Sequence, residues 1–336
     1  MAYQRPFHLI YLVSNYLTTR SIPSSISSSI SSSISGRKNI INSPFSIMKR
    51  TYTNNPQMIT PPETVKLEYS LYEPPRPRDR PDSPPIIILH GLFGSKQNWK
   101  ILSKAFSHRL NTRVFALDLR NHGGSPHSEI HNYEVMADDV NEFIHDHWLK
   151  EVVILGHSMG GKVGMVLALR NEKRIGQLVV VDTAPIYARL NENFKDYIEV
   201  MKEIEHLGVT TRRQADQVMR DYISDHVLRQ FLLTNLKREV SEQKYSFQIP
   251  LDILKDSLET LSGFPFYAAH RAFHKKTLFI VGTKSNYVPP KVHPTIRTYF
   301  PNAVIAELDA GHWVHTEKTT EFTVIVADFL KNYKND

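Results

Sequence analysis

Apolar residues along this chain come in short unbroken runs separated by amphipathic stretches. Pro85–Leu89, Val152–Leu155 and Leu178–Val181 are apolar throughout, and Val114–Leu119 is apolar apart from Asp118. Runs of this kind fit strands of a parallel sheet that is covered on both faces. Between them lie stretches with helical spacing. Lys96–Phe106 is one, and Lys162–Arg170 is another. In Tyr133–Leu149, Val135, Met136, Val140, Phe143 and Ile144 fall on one helical face. The repeated order of strand and helix predicts an α/β protein with a doubly wound, mostly parallel sheet. A proline-rich loop at residues 74–85 separates the first two strand-like runs.

The alternation breaks at about residues 186–262, which are charged and amphipathic, with helical patterns at Tyr197–Leu207 and Gln214–Ile223. It resumes at Thr277–Val281, continues through a last strand at Val304–Leu308, and ends in a helix at Glu317–Tyr333. The interruption reads as a helical cap inserted after a sheet strand. The alternative, a separate small domain, would need a dense apolar pattern of its own.

Composition changes the picture at the N-terminus. The formal charge is +7, which raises nucleic acid or an anionic membrane as partners. No Asp or Glu precedes Glu63, while Arg5, Arg20, Arg37, Lys38, Lys49 and Arg50 do. Removing those six from the 41 Lys and Arg leaves 35 against 34 Asp and Glu, so the body is near +1 and nucleic acid is not an expected partner. The first 52 residues are basic, serine-rich and free of acid, the composition of a mitochondrial presequence. Arg50-Thr51-Tyr52 resembles a matrix-protease site, with Thr53 left first after cleavage. That places the protein in the mitochondrion, with residues 53–336 as its working domain. Two other readings are a secretory apolar region at Phe7–Val13 and a disordered tail with no address. No apolar stretch approaches the roughly 18 residues that a membrane span needs. The chain has no cysteine, which excludes disulfides, a thiol nucleophile and cysteine-bound metal.

The chemistry is concentrated at Gly156-His157-Ser158-Met159-Gly160, between the Val152 strand and the helix-like run at Lys162. Strand, G-x-S-x-G, helix is the nucleophile elbow of an α/β hydrolase. The serine sits on a strained turn, and small neighbours let backbone cross backbone. Ser158 is the candidate nucleophile. Met159, opening the helix, offers one backbone N–H to a developing oxyanion. The other donor belongs in the first strand-to-helix loop, His90-Gly91-Leu92-Phe93-Gly94, and Leu92 N–H is the candidate.

A base and an acid must follow in the chain order Ser, acid, His. Among 16 histidines, His312 lies in the loop after the last strand, and His315 is its nearby competitor. The loop after Thr277–Val281, the usual place for the acid, reads Gly282-Thr283-Lys284-Ser285-Asn286-Tyr287 and holds no carboxylate. Asp182 ends the preceding strand, on the sheet edge where catalytic groups gather. It is the candidate acid, ahead of Asp118 and Asp309. Ser285 then occupies the vacated position as a supporting hydrogen bond. His90, His122 and His157 read as structural. No histidine spacing suggests a metal.

Together, residues 90–99, 118–123, 156–162 and 311–313 resemble a mitochondrial branch of the α/β hydrolases. That branch includes fungal ethanol acetyltransferases and hydrolase relatives in animals and bacteria, and the likeness spans about residues 85–330. In it the acid follows the sixth strand and a serine stands where the usual acid would be, roles that fall on Asp182 and Ser285. The resemblance implies acetyl transfer from acetyl-CoA to ethanol through acyl-Ser158, with thioesterase and esterase side activities. Acetyl-CoA is then a substrate, and no cofactor or metal is expected. The remaining expectations are a plain mitochondrial carboxylesterase or thioesterase, and a non-catalytic binding protein of the same fold.

Overall fold

A computed structural model describes residues 63–75, 84–188, 193–239, 244–266 and 271–331. The presequence expected at residues 1–52 lies outside them. The sheet strands are β1 (Tyr69–Tyr72), β2 (Ile86–Leu89), β3 (Val114–Leu117), β4 (Val152–His157), β5 (Ile175–Val181), β8 (Thr277–Gly282) and β9 (Ala303–Leu308). A separate ribbon pairs β6 (Leu236–Arg238) with β7 (Tyr245–Phe247). The main sheet runs β1-β3-β2-β4-β5-β8-β9. Only β1 is antiparallel to its neighbour.

The unbroken apolar runs have the expected cause. In β2, Ile86 and Ile88 face one buried cluster while Ile87 and Leu89 face the other. β3, β4 and β5 divide in the same way, with Val153, Leu155, Val179 and Val181 on the first side and Ile154, Leu178 and Val180 on the second. Helices α1 (Lys100–Leu110) and α10 (Thr319–Lys331) cover the first side with Leu102, Phe106, Phe322 and Val326. Helices α2 (Tyr133–Asp146) and α3 (Met159–Arg170) cover the second. The last helix expected, at Glu317–Tyr333, corresponds to α10, and a short helix, α9 (Val314–Glu317), precedes it.

Residues 186–262 contain α4 (Asn193–His206), α5 (Arg212–Arg220), α6 (His226–Leu233) and α7 (Leu251–Ser262), together with the β6–β7 ribbon, which the helical patterns did not foretell. Ile198, Met201, Met219, Leu232, Leu254 and Leu261 join the same buried cluster as the second face of the sheet. The insertion therefore shares the core of the sheet. A further helix, α8 (His293–Tyr299), adds Ile296 and Tyr299 to that cluster. None of the described helices is long and apolar enough to cross a membrane.

The strand order reverses at β2: the chain steps to β3 on one side and then returns to β4 on the other. In open α/β sheets the crevice outside the carboxyl ends of such strands is where ligands bind. Here those ends carry the His90–Gly94 loop and Ser158.

Candidate active site

The turn after β4 is strained. Ser158 has φ 51° and ψ −115°, a left-handed φ that a side-chain-bearing residue adopts rarely. Its amide donates to Val181 O at 3.0 Å, and its carbonyl accepts from Lys162 N at 3.1 Å. Two flanking glycines are required by contact. A Cβ on Gly156 would meet Gly160 O at 2.2 Å, and one on Gly160 would meet Leu89 O at 2.4 Å. The start of α3 therefore crosses directly over β4 and the end of β2. Met159 is the first residue of α3, where amides have no carbonyl partner within the helix.

The loop after β2 runs beside this turn. Gly94 N donates to Gly91 O at 2.9 Å, closing a tight bend around Leu92 and Phe93. A Cβ on Gly91 would lie 3.4 Å from Ser158 Cβ, so the Leu92 loop abuts the candidate nucleophile. Two buried histidines brace it. His90 donates from Nδ1 to Gly91 O at 2.8 Å and accepts Leu119 N–H on Nε2 at 3.0 Å. His122 donates from Nδ1 to Arg120 O and accepts Phe93 N–H on Nε2 at 3.1 Å. Each therefore has one protonated and one accepting nitrogen, the neutral form. Burial lowers both pKa values in the same sense. From the insertion, Asn235 donates to Phe93 O at 2.8 Å. The structural reading of His90 and His122 thus has a concrete content.

Asp182 follows β5 with φ 49° and is buried. Its Oδ1 accepts Gly282 N–H at 3.0 Å, and its Oδ2 accepts both the Ser285 hydroxyl and His312 Nδ1–H, the latter at 2.7 Å. The structure thus brings Asp182, His312 and Ser285 together. A neutral imidazole that donates from Nδ1 leaves Nε2 as the accepting atom. The His312 loop is seated on the end of β8: a Cβ on Gly282 would meet Gly311 O at 2.3 Å. The His312 ring stacks on Tyr287, with centroids 4.2 Å apart, and its carbonyl accepts His157 Nε2–H at 3.0 Å. His157 is held neutral by burial, reinforced by neighbouring His315 and His312.

The competing candidates have other partners. Asp118 accepts from the Lys96 amide and ammonium and from Gly124 N, and β3 lies beyond β2 from β4. Asp309 makes an exposed ion pair with Lys284 at 2.9 Å, which holds its carboxyl below the usual carboxylate range. His315 is buried, its ring stacked on Trp99 at 4.3 Å, and burial lowers its pKa to about 3.

Ser158 and His312 line one cavity of about 260 Å³. Its walls are largely aromatic and aliphatic: Phe194 and Tyr197 from α4, Leu228 and Phe231 from α6, with Tyr287 and Trp313. A serine on a strained turn, a histidine held by a buried carboxylate, and backbone amides beside the serine are the parts that nucleophilic acyl chemistry requires. Lys162 and Tyr287 had no assigned role in the sequence pattern. Lys162 was detectable in principle, since it is the only charged residue before Arg170 in an otherwise apolar, glycine-containing helix.

Comparisons with known proteins show the fold family. The α/β hydrolase fold family matches residues 84–319. The chain is 40% identical over 268 residues to a probable alcohol acetyltransferase of Saccharomyces cerevisiae, covering 75% of this chain and 78% of that one. It is 36% identical over 272 residues to the sn-1-specific diacylglycerol lipase ABHD11 of Danio rerio, covering 80% and 83%. A solved marine microorganism esterase superposes with a TM-score of 0.71 at 32% identity, over 80% of this chain and all of that one. The chain belongs to the α/β hydrolase fold family.

Proposed function

We propose that the protein is a serine-dependent acyl transferase that makes ethyl acetate from acetyl-CoA and ethanol. His312 Nε2 takes the Ser158 proton as Oγ attacks the thioester carbonyl. The backbone amides of Leu92 and Met159 hold the oxyanion, and Asp182 stabilises the imidazolium. Collapse breaks the C–S bond, and the proton on His312 passes to the departing CoA sulfur. Ethanol then enters, gives its proton to His312 and attacks acetyl-Ser158; the acyl–Oγ bond breaks, His312 returns the proton to Ser158 Oγ, and ethyl acetate leaves. Water can intercept the same intermediate, which gives acetate.

The observation that carries this reading is the 2.7 Å hydrogen bond that His312, which lines Ser158's cavity, donates to the buried Asp182. The named activity of the Saccharomyces relative supports alcohol as acceptor. The marine esterase and the lipase favour a second reading, a plain ester or thioester hydrolase. The strained φ of Ser158 argues against a non-catalytic binding protein, because binding alone places no demand on that strain.

Product analysis of purified protein with acetyl-CoA, with and without ethanol, separates them. Ethyl acetate is the expected product. Acetate alone at every ethanol level would support the hydrolase. We also propose a mitochondrial location, on the acid-free basic leader. N-terminal sequencing of protein from cells should begin near Thr53, and an intact Met1 on cytosolic protein would contradict this.

A further inference from the structure

Ser158 borders two mainly apolar cavities that differ in size. The first is the apolar cavity of about 260 Å³. The second has about 20 Å³ and is lined by Tyr133, Met159, Lys162, Thr183 and Leu261, among others. Ser158, Leu92, Phe194 and Tyr287 line both. Of the two, His312 lines the large one and Met159 the small one.

That division sorts the substituents of an acyl carbon on Ser158 Oγ. Its carbonyl oxygen belongs at the Leu92 and Met159 amides. The leaving or entering sulfur or oxygen must lie within hydrogen-bond reach of His312, which gives it a proton or takes one from it. The group carrying that atom therefore fills the cavity that His312 lines. The carbon chain of the acyl group is left with the cavity at the start of α3.

We propose that the small cavity is the acyl subsite and the large one the alcohol or thiol subsite. The enzyme then selects acetyl-length acyl groups and tolerates bulk on the other side of the ester or thioester bond. This assignment rests on the acyl-Ser158 reading above. A cavity needs about 10–15 Å³ to hold one water-sized group, so the small one has room for about one methyl.

Its walls are tied in place. Tyr133 OH donates to Leu261 O at 2.6 Å, and Lys162 Nζ donates to Ser262 O at 3.1 Å and Gly263 O at 2.8 Å. These bonds join the nucleophile helix and α2 to the end of α7. A longer chain would have to displace Leu261, which is 1% exposed, or press apolar carbon against the Lys162 ammonium. Lys162 is thereby a positioning residue that shapes the acyl subsite.

The test is a kcat/KM series on p-nitrophenyl acetate, butyrate and hexanoate, beside ethyl, butyl and hexyl acetate. Each protein is counted by fluorophosphonate titration of Ser158. The acyl series should fall by about tenfold or more at each lengthening, because one unaccommodated methylene is worth roughly 10–200-fold. The alcohol series should stay level or rise. Leu261→Ala should raise the hexanoate-to-acetate ratio by about tenfold or more, and the milder Thr183→Ala should raise the butyrate-to-acetate ratio. Both ratios are internal to one folded sample, so loss of folded protein does not alter them. Hexanoate cleaved by Ser158 as fast as acetate would overturn the subsite assignment alone, as would ratios unchanged in both folded variants. No Ser158-dependent cleavage of any ester would overturn the acyl-enzyme reading and the assignment with it.

Discussion

Asp182 carries more of the site than any other side chain. It orients His312 with Oδ2, holds Gly282 N with Oδ1, and receives the Ser285 hydroxyl. Asp182→Asn keeps its size but offers an amide that favours the wrong imidazole tautomer. Turnover per folded molecule should fall by about 10⁴-fold, as in triads with that defect. Ser285→Ala should cost about tenfold, the scale of one hydrogen bond to a carboxylate. Asp309→Asn should be silent, because its side chain is 69% exposed and its partner is Lys284. Steady-state rates of the three variants check this, and a dead Asp309→Asn with a near-normal Asp182→Asn would reverse the assignment. Ser158 and His312 stand out as candidates in the sequence because chain order and flanking glycines mark them. The acid was narrowed by position only. Separating Asp182 from Asp118 and Asp309 takes distances through space. The Tyr287 stack on His312 left no mark in the pattern, since an aromatic residue in a loop has no periodicity to violate.

At the scale of elements, the site is assembled from turns at the carboxyl ends of adjacent strands. Phe93, Asn121, Ser158 and Asp182, after β2, β3, β4 and β5, all have positive φ. The strands and main helices were readable from apolar runs and helical spacing. The β6–β7 ribbon was not, because three-residue strands are too short to show alternation. Lys162 links two elements, and its burial lowers its pKa from 10.5 to about 8. Between those values the unfolded chain binds more protons than the folded one. Stability therefore rises with pH from about 8 to 10.5 on account of this group. Lys162→Met should remove that contribution. In urea unfolding, the wild type should gain on the variant as pH goes from below 8 towards 10.5. A constant difference between the two proteins would show that Lys162 keeps its ordinary proton affinity.

The whole molecule should be sensitive to acid for a related reason. His90, His122, His131, His157 and His315 are buried, and burial lowers each from 6.5, His131 and His315 to about 3. Below 6.5 the unfolded chain takes up protons that the folded chain refuses, so stability is lost as pH falls from 6.5 towards 3. Each such histidine contributes a slope of up to about 1.4 kcal/mol per pH unit. Urea midpoints should drop steeply below pH 6.5, and a flat profile would mean that these rings protonate in place. The acid-free, basic N-terminal composition is likewise read from charge along the whole chain.

The central claim is an acetyl group carried on Ser158. Wild-type protein and Ser158→Ala, mixed with acetyl-CoA and quenched before turnover is complete, can be compared by intact-protein mass spectrometry. The wild type should gain the mass of one acetyl group, mapped by peptide analysis to Ser158, and added ethanol should discharge it as ethyl acetate. The variant should gain nothing. An equal adduct on both proteins, or ethyl acetate formed at wild-type rate by Ser158→Ala, would contradict the account.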